Sequence, residues 1–219
     1  MFFGKFDIIF YCSHHVDEIW VRSSILALSK EKLKIALIIS GKISPELPIV
    51  YEKIPLKIIS LSSTSRFLRY YTAPILISAS TGLKRNNFSK NIKYFCHMPH
   101  SLISLHGAYP ADAFDSFNVL FACNNRQHLE FEKIAHLREK KNYKVYKSGY
   151  GKLDILMQEN KDFSIKKNHI LIAPSWGQDN IIETGLCLEI VRNLLSLGYE
   201  ITLRPHSALS LYQPEKLRP

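Results

Sequence analysis

Short apolar segments alternate with amphipathic segments through the first 160 residues of the chain. The apolar segments are bounded by Pro, Ser, Gly or other polar residues, which is typical of buried β-strands. Such strands are predicted at 6–12, 34–40, 55–61, 74–79, 93–96, 117–123 and 144–147. Apolar residues at helical spacing predict helices over 15–30, 126–141 and 152–158, and Asn124 or Asn125 is the expected N-cap of the second helix.

The same alternation begins again towards the end of the chain. A polar, lysine-rich stretch over 159–168 predicts an interdomain linker. A strand over 169–173, a turn over 174–177, a helix over 180–197 closed by Gly198, and a strand over 199–203 are predicted to follow.

Strands that alternate with helices indicate βαβ units and parallel sheets, so the predicted fold class is α/β. We expect a Rossmann-like N-terminal domain over 1–160 and the beginning of a second Rossmann-like domain over 168–219. A single βαβ unit cannot cover both faces of a parallel sheet, and the second domain is therefore expected to be incomplete.

The composition is that of a folded globular protein, with 219 residues, 46% hydrophobic and 22% charged. The four cysteines (Cys12, Cys96, Cys123 and Cys187) have no short-spaced pair, which argues against a zinc ribbon, a redox motif or a disulfide framework. Buried thiols in a reducing cytoplasm are expected instead. The sequence predicts neither a signal peptide nor a transmembrane helix.

The net charge of +10 suits nucleic acid, an anionic membrane surface or phosphate-rich substrates. The lysines are spread along the chain without the pattern of a nucleic-acid module, so no nucleic-acid partner is expected. Peripheral attachment to the anionic inner face of the membrane fits at least as well. A solvated basic surface without a partner is the alternative.

Three polar clusters follow predicted strands, and ligands of open parallel sheets bind beyond the carboxyl ends of the strands. The first cluster follows the strand over 93–96 and comprises His97, His100, Ser101, Ser104 and His106. The second is the turn over 174–177, with Ser175, Trp176 and Gly177. The third is Arg204, Pro205, His206 and Ser207.

These residue types suit the transfer of a phosphoryl-linked group. A histidine can take a proton from a hydroxyl near neutral pH, and an arginine can clamp a phosphate. Ser175 and Gly177 precede a predicted helix, whose N-terminal N–H groups favour anions. No metal or cofactor is expected, because the three histidines of the first cluster lack a carboxylate or cysteine partner. Any one of these histidines could equally be structural.

Other candidates are weaker. His14 follows the first strand at the same edge of the sheet, where it could touch an acceptor or simply cap the first helix. The Gly149-Tyr150-Gly151 segment lacks the third glycine of a nucleotide-binding fingerprint and is expected to be a turn. Asp112 and Asp115 are adequately explained as turn residues.

The order of five short segments resembles the CDP-glycerol glycerophosphotransferase family of wall and capsule polymer enzymes. The segments are 93–101, 113–117, 149–154, 170–176 and 203–206. Each is short, but their order and spacing are together fairly specific. The resemblance covers about residues 90–212.

This resemblance implies a GT-B-like fold and transfer of glycerol phosphate from CDP-glycerol to an acceptor hydroxyl, with release of CMP. The acceptor would be a polymer or lipid-linked molecule of teichoic acid or capsule polysaccharide synthesis. By position His100 is the best match to the family's base, with His106 as its rival. His206 and Arg204 match a segment near the donor phosphates, although Ser207 stands where the family often has proline. His14, His97 and Ser101 are candidate acceptor-binding residues.

Family members continue for roughly another hundred residues, the size of a completed domain. The expectation is therefore that this chain is truncated in its second domain and, by itself, has an incomplete donor site. Two alternatives stay open: a GT-B glycosyltransferase or UDP-sugar 2-epimerase-like enzyme, and an inactive fragment that acts at most as a binding module.

Overall fold

The computed structural model describes residues 4–62, 66–140, 143–159, 167–175, 177, 179–206 and 209. The chain forms two compact units, Met1–Lys161 and Asp162–Pro219. Most of the predicted linker, together with Trp176 and Ser207, lies outside the described residues. In the described ranges, no helix combines the length and the apolar character needed to cross a bilayer.

The first unit alternates strands and helices as the sequence pattern predicts. Its described strands are β1 (Gly4–Lys5), β2 (Ile8–Cys12), β3 (Ile35–Ser40), β4 (Leu56–Leu61), β5 (Tyr71–Thr72), β6 (Ile75–Ser78), β7 (Tyr94–His97), β8 (Val119–Ala122) and β9 (Lys144–Lys147). Its α-helices are α1 (Glu18–Leu28), α2 (Leu47–Val50), α3 (Leu105–Ala108), α4 (Asn125–Leu137) and α5 (Gly151–Glu159). Short 3₁₀-helices occupy His15–Asp17, Arg66–Tyr70 and Arg85–Asn87.

Seven of these strands form one parallel sheet in the order β4-β3-β2-β6-β7-β8-β9. At its centre Phe10 of β2 lies opposite Leu37 of β3 on one side and Ile77 of β6 on the other. The two-residue strands β1 and β5 pair with each other next to the amino ends of β2 and β6. The prediction of an α/β fold is thus confirmed, and the parallel sheet flanked by helices is consistent with a Rossmann-like unit.

The core lies on both faces of the sheet. Ile9 and Tyr11 of β2 pack into a cluster on one face, while Phe10 and Cys12 pack with Val21 and other residues on the opposite face. Successive side chains of a strand point to opposite faces, and a parallel sheet covered on both faces therefore needs continuous apolar runs. All five residues of β2 are buried for this reason.

The strand order reverses between β2 and β6. From β2 the chain continues outward to β3 and β4, whereas the later strands continue outward in the other direction from β6. Such a reversal opens a crevice at the carboxyl ends of the two strands, which is where ligands of open α/β sheets bind. The segments after β2 and β6 therefore frame the candidate site.

The second unit has β10 (His169–Ile172), β11 (Glu200–Leu203) and α6 (Leu186–Ser196), and its two strands are parallel. The helix predicted from residue 180 begins six residues later than expected. Gly185 adopts a left-handed conformation with φ 77°, which breaks a continuous helix. Asn180 instead organises a separate turn, because its Oδ1 accepts hydrogen bonds from the N–H groups of Ile182 and Glu183.

Candidate active site

A hydrogen-bonded network closes the floor of the crevice between β2 and β6. The Ser13 N–H donates to Ser80 Oγ at 3.1 Å, and Ser80 Oγ donates to Asp17 Oδ2 at 2.9 Å. The same carboxylate oxygen accepts the His14 N–H at 3.1 Å. The loops after the two central strands are thereby joined, which gives the crevice a fixed polar base.

His100 lies beside this floor, with both ring nitrogens engaged. Its Nδ1 is 3.1 Å from the Ala79 carbonyl oxygen and its Nε2 is 3.2 Å from Tyr109 Oη. A carbonyl oxygen can only accept, so Nδ1 carries the proton and the lone pair of neutral His100 is on Nε2. Burial raises the pKa of Tyr109, which keeps its hydroxyl protonated as the donor to Nε2. His100 is therefore held in the tautomer that a general base requires.

Aromatic side chains form a wall beside His100. The Trp20 ring of α1 lies 6.0 Å from the His100 ring and stacks on Tyr150 at 6.3 Å. Tyr150 Oη donates to the His100 carbonyl oxygen at 3.2 Å, and Lys152 Nζ lies 3.9 Å above the Trp20 ring. The cation–π contact keeps an ammonium group in this wall. We call His100, Tyr109, Trp20, Tyr150 and Lys152 the His100 cluster.

Close contact between α1 and α5 positions the wall. Gly151 is the first residue of α5, and a Cβ at this position would lie 1.8 Å from Ser23 Oγ of α1. Only glycine lets the two helices approach this closely. Trp20 on α1 is thereby brought next to Tyr150 and Lys152.

The segment between His100 and Tyr109 is fixed by Glu130 of α4. Its carboxylate accepts hydrogen bonds from Ser104 Oγ and from the Leu105 N–H, both at 2.7 Å. Burial by itself would raise the pKa of Glu130, but these hydrogen bonds and Arg126 outweigh it and lower the pKa. An ionised Glu130 thus caps α3 and holds the chain that leads to Tyr109.

His97, predicted as a possible acceptor contact, lies in the core and is 1% exposed. Its ring packs against Phe114, Phe117 and Phe131. Burial, with a smaller effect of the nearby His100, lowers the pKa of His97 to about 3. His97 is therefore neutral near pH 7 and inaccessible to a substrate.

The other histidines and Ser101 of the first unit take different positions. His106 is exposed on α3, and His14 is exposed at the N-cap of the first 3₁₀-helix. The Ser101 carbonyl oxygen accepts a hydrogen bond from Gln127 Nε2 at 2.8 Å, which ties this segment to α4. Of the first-unit histidines predicted to act on a substrate, His100 has the hydrogen bonds of a positioned base.

The two predicted clusters of the second unit lie side by side at the carboxyl ends of β10 and β11. The Arg204 N–H donates to the Ile172 carbonyl oxygen at 2.8 Å, and the His206 N–H donates to that of Pro174 at 3.2 Å. Arg204, His206 and Ser175 are all exposed.

The anion-binding helix end predicted after Ser175 and Gly177 is not formed as expected. α6 begins only at Leu186, and Gly177 instead accepts a hydrogen bond at its carbonyl oxygen from Asn180 Nδ2 at 2.7 Å. The first residue of α6 therefore lies nine residues after Gly177 in the chain, and Gly177 does not lead directly into the helix.

The sequence prediction missed most of the His100 cluster. The sequence predicts only that Trp20 lies in the helix over 15–30 and that Tyr150 lies in a turn. Their position relative to the strands could have indicated them. Tyr150 and Lys152 follow β9, and Trp20 lies on the helix after β2, so all three lie near the carboxyl edge of the sheet.

Among the described residues, no group of three His, Cys, Asp or Glu side chains is placed to hold a metal ion. Cys12, Cys96 and Cys187 are buried, and burial raises the pKa of Cys96 to about 12.

Comparison with known families does not assign the chain: no family model matches the sequence, and no curated protein matches it significantly.

Proposed function

We propose that this chain belongs to a transferase that moves glycerol phosphate, or a related polyol phosphate, from a CDP-activated donor to an acceptor hydroxyl. The observation that carries the proposal is the geometry of His100. Its tautomer is set by the Ala79 carbonyl oxygen, and its Nε2 faces a hydroxyl group at the carboxyl edge of a parallel sheet. The segments that resemble glycerophosphotransferases supply the donor class.

In the proposed reaction, the acceptor hydroxyl takes the place of Tyr109 Oη at His100 Nε2. Nε2 removes the hydroxyl proton as the acceptor oxygen attacks the β-phosphorus of the donor. A new P–O bond to the acceptor forms, the phosphoanhydride P–O bond breaks, and CMP leaves with the electron pair. Trp20 and Lys152 would line the acceptor side of the crevice.

In this proposal, residues of the second unit bind the donor. Arg204 and His206 would bind the donor phosphates, since both follow a parallel strand and are exposed. The acceptor would be a polymer or a lipid-linked molecule.

The test is CMP release from CDP-glycerol in the presence of a polymeric acceptor, measured for the 219-residue chain and for His100→Asn. We expect a loss of roughly 10²-fold or more in kcat, the usual contribution of a general base. His136→Asn is the matched control, because His136 is exposed on the last turn of α4. Full activity of His100→Asn would refute the assignment of the base.

A donor screen separates the alternatives. Turnover of UDP-sugars instead of CDP-glycerol or CDP-ribitol would favour a glycosyltransferase or an epimerase-like enzyme with the same fold. A chain that neither turns over nor binds any of these donors in titration calorimetry would contradict the proposal and favour the binding-module alternative.

A further inference from the structure

The net positive charge of the chain is concentrated in one part of the sequence, because acidic residues are absent there while basic residues occur at their usual density. Residues 53–111 contain no Asp or Glu, so all 19 acidic residues of the chain lie elsewhere. The same stretch carries eight cationic side chains: Lys53, Lys57, Arg66, Arg69, Lys84, Arg85, Lys90 and Lys93. Such asymmetry creates a local positive potential that a net charge spread over the whole surface would not.

Within this stretch, the 3₁₀-helix Arg66–Tyr70 displays aromatic and cationic side chains together. Leu68 is 4% exposed and anchors the turn in the core. Phe67 is 52% exposed and Tyr70 is 40% exposed, with their ring centroids 6.4 Å apart. Arg66 and Arg69 are exposed on the same turn.

This turn lies at the amino ends of the sheet strands, away from the edge that carries His100. It leads into β5, which pairs with β1 just before β6 and β2 begin. It also contacts the neighbouring 3₁₀-helix Arg85–Asn87, which adds the positive charge of Arg85 to the surface. We call Arg66, Phe67, Arg69, Tyr70 and Arg85 the amino-edge surface.

We propose that the amino-edge surface binds the anionic phospholipid bilayer. Exposed arginines can hydrogen-bond to lipid phosphates, and phenylalanine and tyrosine side chains insert at the level of the headgroups. Clustered basic residues near a membrane each add to the attraction of an anionic leaflet. The turn therefore combines cationic side chains, which suit the lipid phosphates, with aromatic side chains, which suit the headgroup layer.

Nucleic acid is the alternative partner for these charges. A cavity of about 530 Å³ beside Arg85 is lined by both signs of charge, since Lys140 lies there together with Asp115 and Glu139. Asp115 is also ion-paired with Arg138 and Lys140. The cavity therefore does not continue the positive charge of the turn, as a groove for a phosphodiester backbone would.

The experiment measures co-sedimentation of the chain with vesicles of phosphatidylcholine alone or mixed with phosphatidylglycerol. We expect binding only to the anionic vesicles. Arg66→Gln/Arg69→Gln should weaken the partition coefficient on the order of 25-fold, about fivefold for each charge, and flatten its salt dependence. Phe67→Ser should weaken binding roughly tenfold without changing the salt dependence, because it removes only apolar insertion.

The matched control is Lys42→Gln/Lys133→Gln, which removes two exposed charges outside the amino-edge surface and should weaken vesicle binding less than threefold. A thermal melt of each variant checks that the fold is intact. Equal losses in the two double variants, or binding to neutral vesicles alone, would overturn the proposal. Binding to a polyuridine RNA but not to anionic vesicles would overturn it in favour of nucleic acid.

Vesicle binding is independent of the chemistry at His100. His100→Asn should bind anionic vesicles as the unmodified chain does, whereas the arginine variants should keep His100 and its hydrogen bonds. Failure of one proposal therefore leaves the other standing.

Discussion

Replacement of Glu130 by glutamine tests whether one buried carboxylate holds the segment between His100 and Tyr109. Glu130 is 8% exposed and receives two hydrogen bonds of 2.7 Å, from Ser104 Oγ and from the Leu105 N–H. Glutamine keeps one acceptor oxygen, but its amide NH₂ group would face a donor. The substitution thus removes a charge and one acceptor while preserving volume.

The expected cost follows from these contacts. A hydrogen bond to a charged group contributes about 1.5–3 kcal/mol, and the retained bond becomes a weaker neutral one. The ion pair with Arg126 adds little, because the Arg126 side chain is 77% exposed. The free energy of unfolding should fall by about 3 kcal/mol, equivalent to a decrease in Tm of roughly 6–12 °C for a unit of this size.

The pH dependence gives a second readout. Because the pKa of folded Glu130 lies below its ordinary value of 4.5, its contribution is complete above that value and is lost as the pH falls through the folded pKa. Urea unfolding followed by circular dichroism should show the full difference at pH 7 and a smaller one below about pH 4.

The control for this prediction is Glu132→Gln on the same helix. Its side chain is 55% exposed and lies 3.3 Å from His128, so the change should be within about 0.5 kcal/mol. An equal effect of the two substitutions, or a Glu130→Gln difference that persists undiminished at pH 3, would refute the reasoning.

Two further predictions concern the packing around the site. Gly151→Ala places a Cβ 1.8 Å from Ser23 Oγ, and the free energy of unfolding measured in urea should fall by about 1–3 kcal/mol. A second substitution, Ser23→Gly, should restore most of this loss. If the two substitutions instead lower the stability additively, the predicted clash is contradicted. His97→Gln should flatten the pH dependence of stability between pH 3 and 6.5. The pKa of His97 falls to about 3 on folding, so the unfolded chain binds the extra proton in this range and acid destabilises the protein. The exposed His136→Gln should leave that slope unchanged.

The central strands of the sheet were predictable because their burial is almost complete, whereas three of the four residues of the edge strand β9 are exposed. β3 lies within the predicted 34–40 segment and β9 coincides with the predicted 144–147 segment. Continuous apolar runs between Gly, Pro and Ser residues are the direct consequence of a parallel sheet covered on both faces. Asn124 or Asn125 was predicted as an N-cap, and the structure selects Asn124, whose side chain accepts the Gln127 N–H at 2.9 Å.

Short or interrupted elements were not predictable from periodicity. The helices α2 and α3 have four residues each, and β1 and β5 have two, so each spans only about one period and shows no repeat. The helix predicted from residue 180 was wrong at its start, because the pattern of apolar residues continues through Gly185 while the backbone conformation does not.

The histidines themselves could not be ranked from their sequence neighbourhood. His97 is the last residue of β7 and His100 follows three residues later, yet one is buried among phenylalanines and the other lies at the crevice. Which of them a substrate can reach depends on the helices that cover the end of the sheet.

Local apolar patterns are enough to predict the alternation of strands and helices and the α/β class, and the residues that follow each strand identify the polar groups at its carboxyl end. The surroundings of His100 depend on the fold, because they come from four separate segments that contribute Ala79, Tyr109, Trp20 and Tyr150. The strand order explains how these segments meet. The reversal between β2 and β6, together with the close approach of α5 to α1 at Gly151, brings distant segments to one edge of the sheet.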